Sequence, residues 1–194
     1  MEAFDAKDRA AILREAADLG HYVADAHVPL HTTLNYNGQL TDQDGIHAVW
    51  ETRLPELHGG EYNLFVGKPE YIADVGLWAW NTVIESHGYV DLVLSAERAV
   101  TRGWTGATHV RESRGGVMQL QREASWCRAY GDSLGGMVER RWRTAIHGVA
   151  SLWYSAWVDA GQPHLGEVMG VRSTCGIRCW WKGLRERESR QQVP

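Results

Sequence analysis

The 194-residue sequence lacks any hydrophobic run long enough to form a helix that crosses a membrane, so no transmembrane segment is expected. It also lacks an excess of basic residues, since 20 Lys and Arg are set against 24 Asp and Glu, for a formal charge of −4. A broad basic surface that holds nucleic acid as a stable partner is therefore not expected. The first twenty residues are charged and helical in pattern rather than a signal peptide, and they leave the localisation open.

Cysteine is scarce and tryptophan is abundant. The three cysteines do not have the spacing of a zinc ribbon, so we predict free thiols rather than a disulfide framework. They are Cys127, Cys175 and Cys179. The ten tryptophans indicate either a core of bulky helices or an aromatic-lined cleft. Four of them fall at helical spacings and are predicted to be core residues, namely Trp78, Trp80, Trp153 and Trp157.

The dominant hydrophobic period is helical and predicts an all-α fold. A first helix is expected over about residues 5–26, where apolar side chains form a stripe, and Pro29 ends it. Residues 32–45 are polar and contain Asn-Gly, which predicts a loop. A second helix is expected to begin at a capping Asp44 and to stop at Pro55.

The same reasoning places three further helical stretches after residue 68. One is expected to start with Pro69 in its first turn and to bend near Gly88. Residues 101–116 are expected to form a loop, and helices are then predicted near 119–134 and 137–160.

The length suits one domain, which we predict to comprise residues 1–165. Residues 166–194 show no clear period and are expected to be a divergent or disordered tail.

Five residues suggest a metal site. His21 and Asp25 are four residues apart on the first predicted helix, and His47 and Glu51 are four apart on the second. Residues at this spacing share one helical face, so each pair can converge on an ion. His31 lies between the pairs, and imidazole with carboxylate is a ligand set that zinc accepts. The alternative is that these residues are surface helix pairs and core histidines.

The segments that carry these residues resemble a known superfamily. The run HYVADAHVPLHTT (21–33), followed by GIHAVWETRLPEL (45–57), is similar to the zinc-dependent phospholipases C and single-strand-specific zinc nucleases. That superfamily reads His-x3-Asp-x5-His, then a loop, then His-x3-Asp/Glu, usually with Pro-Leu-His at the third ligand. The similarity runs over about residues 11–96 and returns more weakly over 137–163.

The resemblance implies an all-α helical bundle that binds three zinc ions and cleaves phosphate ester bonds with a metal-activated hydroxide. By this resemblance His21 and Asp25 hold one zinc ion, and Asp25 bridges to a second ion and is the catalytic candidate. His31, His47 and Glu51 hold another ion. The substrate would be a phosphodiester, either a phospholipid headgroup or single-stranded nucleic acid, and the ligands do not separate these two.

The sequence departs from the superfamily at its N-terminus. Members, which are usually exported, take further ligands from a Trp, two His and an Asp in an N-terminal segment. Only twenty residues precede His21, and they contain neither His nor Trp. The chain thus resembles an N-terminally incomplete member, for which we expect one or two zinc ions. The alternative is a non-catalytic, truncated helical domain that binds structural zinc.

Other polar residues receive separate predictions. His27 is expected to have a structural role or to support a ligand, and Asn35, Tyr36 and Trp50 to line a cleft, with core packing at least as good for Trp50. Glu139-Arg140-Arg141 is interpreted as a solvated helix face, with a phosphate contact as the lesser alternative. Three histidines are predicted to lie in loops and to be solvated, namely His58, His109 and His164. Two are predicted to have structural roles within helices, namely His87 and His147.

Overall fold

The chain is mostly helical in a computed structural model that describes residues 2–168, as the hydrophobic period predicts. Predictions for residues 169–194, including Cys175 and Cys179, lie outside the described residues. Within residues 2–168 no helix combines the length and apolarity needed to cross a bilayer. The chain divides into two compact units, Met1–Arg14 with Ala156–Pro194, and Glu15–Ser155. That residues 1–165 form one domain stays a prediction.

The first predicted helix is two helices, α1 (Glu2–Asp5) and α2 (Arg9–Ala26). The interruption has a local cause. Lys7 has a left-handed backbone with φ of 51°, and the Asp8 carboxylate accepts hydrogen bonds from the backbone N–H groups of Ala10 and Ala11. Such a carboxylate satisfies N–H groups that have no partner inside a helix, so a new helix begins there.

The second predicted helix continues beyond Pro55. It consists of α3 (Ile46–Ala48), a π-helical turn (Val49–Arg53) and α4 (Leu54–His58). A proline ring normally clashes with the carbonyl group four residues earlier. The π-helical turn is wider, as the hydrogen bond from Leu54 N–H to the Val49 carbonyl shows, and this allows the helix to pass Pro55.

The third helical stretch begins later than predicted and breaks where predicted. α5 (Val75–His87) starts after Asp74, whose carboxylate accepts a hydrogen bond from Leu77 N–H at 2.8 Å. Pro69 is therefore not in a helix. α6 (Val90–Gly103) follows the predicted break near Gly88.

A two-stranded antiparallel sheet replaces the loop and helix start predicted around residues 101–122. β1 (His109–Arg114) pairs with β2 (Val117–Arg122) in a register that places Arg114 opposite Val117. Gly115 and Gly116 connect the strands with φ of 57° and 82°, the left-handed pair that a tight hairpin turn requires. The all-α prediction thus fits the described residues broadly, with this small sheet as the exception.

Three helices follow the hairpin, namely α7 (Ala124–Ser133), α8 (Met137–Asp159) and α9 (Leu165–Val168). α7 begins later than predicted because β2 occupies residues 117–122, whereas α8 matches its prediction within a residue.

The core of the Glu15–Ser155 unit lies among α3, the π-helical turn, α6, α7 and the start of α8. Its largest fully buried side chains include Trp50, Trp126 and Tyr130. The prediction that Trp80 and Trp153 are core residues is wrong, since they are 63% and 46% exposed. Trp80 is exposed because the apolar side chains of α5 lie on all sides of the helix, whereas only one side can face the rest of the fold.

Two helical glycines provide a test of the packing between α5 and α8. A Cβ atom added at Gly148 would lie 2.7 Å from the Trp78 indole, whereas one added at Gly20 would meet only the Val149 side chain at 4.0 Å. Replacing a helical glycine by alanine gains up to about 1 kcal/mol of helix propensity, but overpacking costs about 1–3 kcal/mol.

We therefore expect Gly20→Ala to raise the free energy of unfolding by up to about 1 kcal/mol and Gly148→Ala to lower it by about 1 kcal/mol. Urea denaturation followed by circular dichroism measures both. An increase in stability for Gly148→Ala would show that the Trp78 indole is not packed against this helix as described.

Candidate metal centre

The end of α2 and the turn after it bring Asp25 and His31 to one corner of the fold. Val28 N–H donates to the Asp25 carbonyl at 3.0 Å, and a single 3-10 turn (Pro29–Thr32) follows. Pro29 fits its first position because a proline there has no N–H group to leave unpaired. The turn folds His31 back, so that its Nδ1 lies 3.1 Å from the Asp25 carbonyl oxygen and 3.7 Å from its Oδ1.

His31, His47 and Glu51 form a group of three side chains that could hold a metal ion, with one ligand atom from each within 4.8 Å of the others. The two histidine Nε2 atoms are 3.0 Å apart. His47 Nε2 lies 2.7 Å and His31 Nε2 3.6 Å from Glu51 Oε2. Ligand atoms around a tetrahedral zinc ion are about 3.3 Å apart, given bonds of about 2.0–2.2 Å. The three side chains therefore fit such an ion with displacements of a few tenths of an ångström.

Hydrogen bonding fixes which nitrogen of His31 is free to bind a metal. The Asp25 carbonyl can only accept a hydrogen bond, so the Nδ1 atom facing it carries the hydrogen. In the neutral ring the lone pair is then on Nε2, the atom that faces His47 and Glu51. A metal-binding histidine is commonly oriented by such a contact from its other nitrogen.

The structure brings His21 next to Asp25 but not into the three-residue group. His21 Nε2 is 3.5 Å from Asp25 Oδ2, and the His21 side chain is 70% exposed. Among the described residues the group of His31, His47 and Glu51 is the one set of three or more such side chains close enough to hold an ion. That His21 and Asp25 hold a second ion stays a prediction.

A pocket of about 510 Å³ opens beside the group. Asp25, His31 and His47 line it, together with the hydroxyl-bearing side chains Thr32, Thr33 and Tyr36. The Tyr36 ring meets the His47 ring edge-on, with 6.3 Å between ring centres. Trp50 does not line this pocket and is 1% exposed in the core, which was the alternative judged at least as good from the sequence.

The loop between the two predicted ligand pairs is held by its own polar side chains. The buried Asn35 side chain accepts from Leu40 N–H at 2.8 Å and donates to the Thr41 hydroxyl at 2.9 Å. Gly38 has φ of 79°, and an added Cβ atom there would overlap the Gln43 carbonyl. Gln43 in turn donates to Glu97 Oε2 at 2.6 Å on α6. These bonds fix the path of the chain from His31 to His47.

Arg141 holds the end of α2 from the opposite side, and the prediction that it belongs to a solvated face is wrong. Its guanidinium group is 2% exposed, donates from Nε to the His27 carbonyl at 3.1 Å and from Nη2 to the Ser86 hydroxyl at 2.6 Å. The Ser86 hydroxyl also lies 2.5 Å from the Ala26 carbonyl. Nη1 forms an ion pair with Glu85 at 2.9 Å. Arg141 and Ser86 together bind two consecutive carbonyl groups directly after Asp25.

His27 has the structural role that the sequence predicts. It is 2% exposed, and its Nδ1 lies 2.7 Å from the Val23 carbonyl oxygen. Burial, and secondly the charge of Arg141, lower the pKa of His27 despite the bond to Val23, so the ring is neutral at pH 7.

The remaining histidines match their predictions in part. His109 and His164 are exposed, as expected, but His109 lies in β1 and not in a loop. His87 and His147 contact the Thr32 and Lys68 carbonyl oxygens respectively. His58 was predicted to be solvated, but both of its ring nitrogens are buried and have no hydrogen-bond partner among the described residues.

Comparison of the chain with known protein families, with characterised proteins and with solved structures finds no match.

The contacts of Arg141 lead to a prediction for the metal site. In Arg141→Met the Ser86 hydroxyl and the His27 carbonyl lose their donor, so we expect the free energy of unfolding to fall by about 3 kcal/mol. Because Asp25 and His31 are held by the same corner, we expect zinc affinity to fall at least about tenfold in protein that is still folded.

Competition with a zinc-binding dye measures the affinity, and thermal denaturation confirms that each sample is folded. Arg140→Met is the matched control, since Arg140 is exposed on the same helix and its guanidinium donates to the Gly135 carbonyl. It should leave zinc affinity unchanged and lower the free energy of unfolding by less than about 1 kcal/mol. Unchanged zinc affinity in folded Arg141→Met would contradict the positioning role.

Proposed function

We propose that the chain is a zinc-dependent hydrolase of phosphate ester bonds, of the phospholipase C or nuclease type, with its metal centre at His31, His47 and Glu51. One observation carries the proposal. Two imidazole nitrogens and a carboxylate oxygen, drawn from two separate segments, converge within 4.8 Å at the edge of a pocket. Three protein ligands and an open position are the arrangement of catalytic zinc sites.

The choice of zinc rests on the donor set. Two histidines with one glutamate suit zinc, whereas magnesium and calcium prefer sites made of oxygen alone. When bound, the ion would supply positive charge that lowers the pKa of a coordinated water and neutralises a phosphate oxygen. Contacts within the protein orient two of the ligands toward the proposed ion. His31 is oriented by its bond to the Asp25 carbonyl, and Glu51 by its bond to His47.

Asp25 is the residue we propose to act as general base. Its carboxylate lines the same pocket as His31 and His47 and is not part of the three-residue group. A carboxylate within reach of a water molecule can accept its proton as that water attacks phosphorus, a role worth about 10²–10⁴-fold in rate. His21 Nε2 lies 3.5 Å from Oδ2 of this carboxylate.

The pocket walls would bind the substrate. Hydroxyl groups of Thr32, Thr33 and Tyr36 can donate hydrogen bonds to phosphate oxygens. The substrate would be a phosphodiester, either a phospholipid headgroup or a single-stranded nucleic acid, and these lining residues suit both. The formal charge of −4 favours a small phosphoester held at the site over a long strand held along a basic surface.

A second candidate function is structural zinc binding without catalysis. One observation favours it, which is that His21 and Asp25 are not joined by a third ligand among residues 2–168. A single ion at His31, His47 and Glu51 would tie the turn after α2 to the helix that starts at Ile46, and metal binding of this kind contributes folding free energy.

Zinc content and hydrolysis of bis(p-nitrophenyl) phosphate separate the two functions. We expect one zinc ion bound at this group, lost in His47→Ala, and phosphodiester hydrolysis that depends on it. Asp25→Asn should retain that ion while activity falls by at least about 100-fold, because it removes the proton acceptor and leaves the ligands in place.

His109→Ala, at an exposed position on the hairpin, is the control and should keep both zinc and activity. Zinc binding without hydrolysis would favour the structural function. Activity that survives Asp25→Asn unchanged would exclude the proposed role of this residue.

A further inference from the structure

Glu97 is a buried carboxylate that lies outside the three-residue group at the metal centre. It is on α6 and is 4% exposed. Its Oε1 atom accepts a hydrogen bond from the Thr101 hydroxyl at 2.8 Å and lies 3.3 Å from Nη2 of Arg122, the last residue of β2. Its Oε2 atom accepts from Nε2 of Gln43 at 2.6 Å. One carboxylate thus joins α6, the hairpin and the loop that leads to His47.

Stability alone is a poor explanation for this buried carboxylate. A buried ion pair loses the hydration of both charges, and apolar side chains of similar volume in its place are often as stable or more so. In some proteins such groups are retained because they select one arrangement of their partners. The arrangement that Glu97 selects includes Gln43, which is itself 4% exposed and also donates to the Leu94 carbonyl at 2.7 Å.

Gln43 connects this network to the start of α3. Its backbone N–H donates to the Gly38 carbonyl at 3.0 Å, and its carbonyl accepts from the Ile46 N–H at 3.2 Å. Within the described part of the chain no side chain caps α3, so the Gln43 carbonyl satisfies the first N–H group of this helix. His47 is the next residue after Ile46. The position of its ring therefore depends on where Gln43 is held.

We propose that Glu97 is a positioning residue for the metal centre. Through the hydrogen bond from Gln43 it fixes the start of α3, which carries His47 to within 3.0 Å of His31. The inference rests on the metal centre proposed above and adds a residue that is outside the ligand set.

Three substitutions separate positioning from stability. Glu97→Met removes both the hydrogen bond with Gln43 and the ion pair with Arg122. Glu97→Gln keeps an oxygen that can accept from Gln43 and turns its NH2 group toward the Thr101 hydroxyl, which can accept, but it loses the ion pair. Gln43→Met removes the hydrogen bond and leaves the ion pair in place. Positioning makes zinc affinity follow the Gln43 hydrogen bond, whereas a role in stability alone makes it follow the ion pair.

Competition with a zinc-binding dye, at a temperature where every variant is folded, measures the affinity. We expect it to fall about tenfold in Glu97→Met and in Gln43→Met and to stay within about threefold of the wild-type value in Glu97→Gln. The Tm should fall in both Glu97 variants, because each leaves Arg122 without its counter-charge.

Ser155→Ala is the control for lost stability. The Ser155 hydroxyl is 2% exposed at the far end of α8 and accepts a hydrogen bond from Ile72 N–H at 2.8 Å. Its removal leaves that buried contact unmade and should lower the Tm. Zinc affinity should not change, because none of these groups belongs to the network around Glu97.

A metal-free measurement keeps the inference distinct from the proposed function. The centre of the His47 ring lies 4.8 Å from that of His31 and 6.3 Å from that of Tyr36. In protein kept free of metal with EDTA, NMR nuclear Overhauser effects between these rings report the position of His47. We expect them to be retained in Glu97→Gln and Ser155→Ala and to be lost in Glu97→Met and Gln43→Met.

Zinc affinity that falls in step with the Tm across all four variants, or ring-to-ring signals that survive in Gln43→Met, would overturn the positioning role. If Glu97→Met does not fold, Gln43→Met still decides, because its ion pair between Glu97 and Arg122 is intact. If the wild-type protein binds no zinc, the proposed function fails, and the metal-free signals still test the role of Glu97.

Discussion

The position of the metal centre depends on how Arg141 binds the end of α2. Buried carbonyl groups at the end of a helix need donors, and Arg141 and Ser86 supply them to His27 and Ala26. A guanidinium group suits this place because it directs several N–H groups in fixed directions and remains charged when buried. The corner it stabilises carries Asp25 on one side and leads to His31 on the other. We therefore expect a change in α8 to alter the candidate metal centre even where it contacts none of the three proposed ligands.

The parts of the candidate site that could be predicted from sequence are those encoded by local spacing. The four-residue interval of His47 and Glu51 fixes their relative placement even though a π-helical turn replaces ideal α geometry there. Pro29 was expected to end the first helix, and the 3-10 turn that begins at Pro29 brings His31 back toward Asp25. The same local logic held for the break near Gly88 and for α8, because backbone preferences decide both.

The features that could not be predicted depend on partners distant in sequence. Arg141 lies in a charged run that is typical of a solvated face, and only its contacts with residues more than fifty positions away reverse that interpretation. Trp80 has the spacing of a core residue, but burial depends on which side of α5 the fold covers. The hairpin at Gly115-Gly116 did carry a local signal, since paired glycines favour a tight turn, and the helical period around it obscured that signal.

The three proposed ligand atoms of His31, His47 and Glu51 already lie close together. His31 and His47 place their Nε2 atoms 3.0 Å apart, and both atoms face Glu51. His31 carries its hydrogen on Nδ1, so in the neutral rings any hydrogen between the two Nε2 atoms belongs to His47, which can donate it to His31 or to Glu51. An ion would replace this hydrogen and would be held by two nitrogens and one oxygen that already lie within 3.6 Å of one another. Little rearrangement would then be required on binding, because the Asp25 carbonyl and the loop anchored at Gln43 fix both histidines beforehand. The distances among the three ligand atoms, 2.7, 3.0 and 3.6 Å, are thus close to the separation of about 3.3 Å that a tetrahedral ion requires.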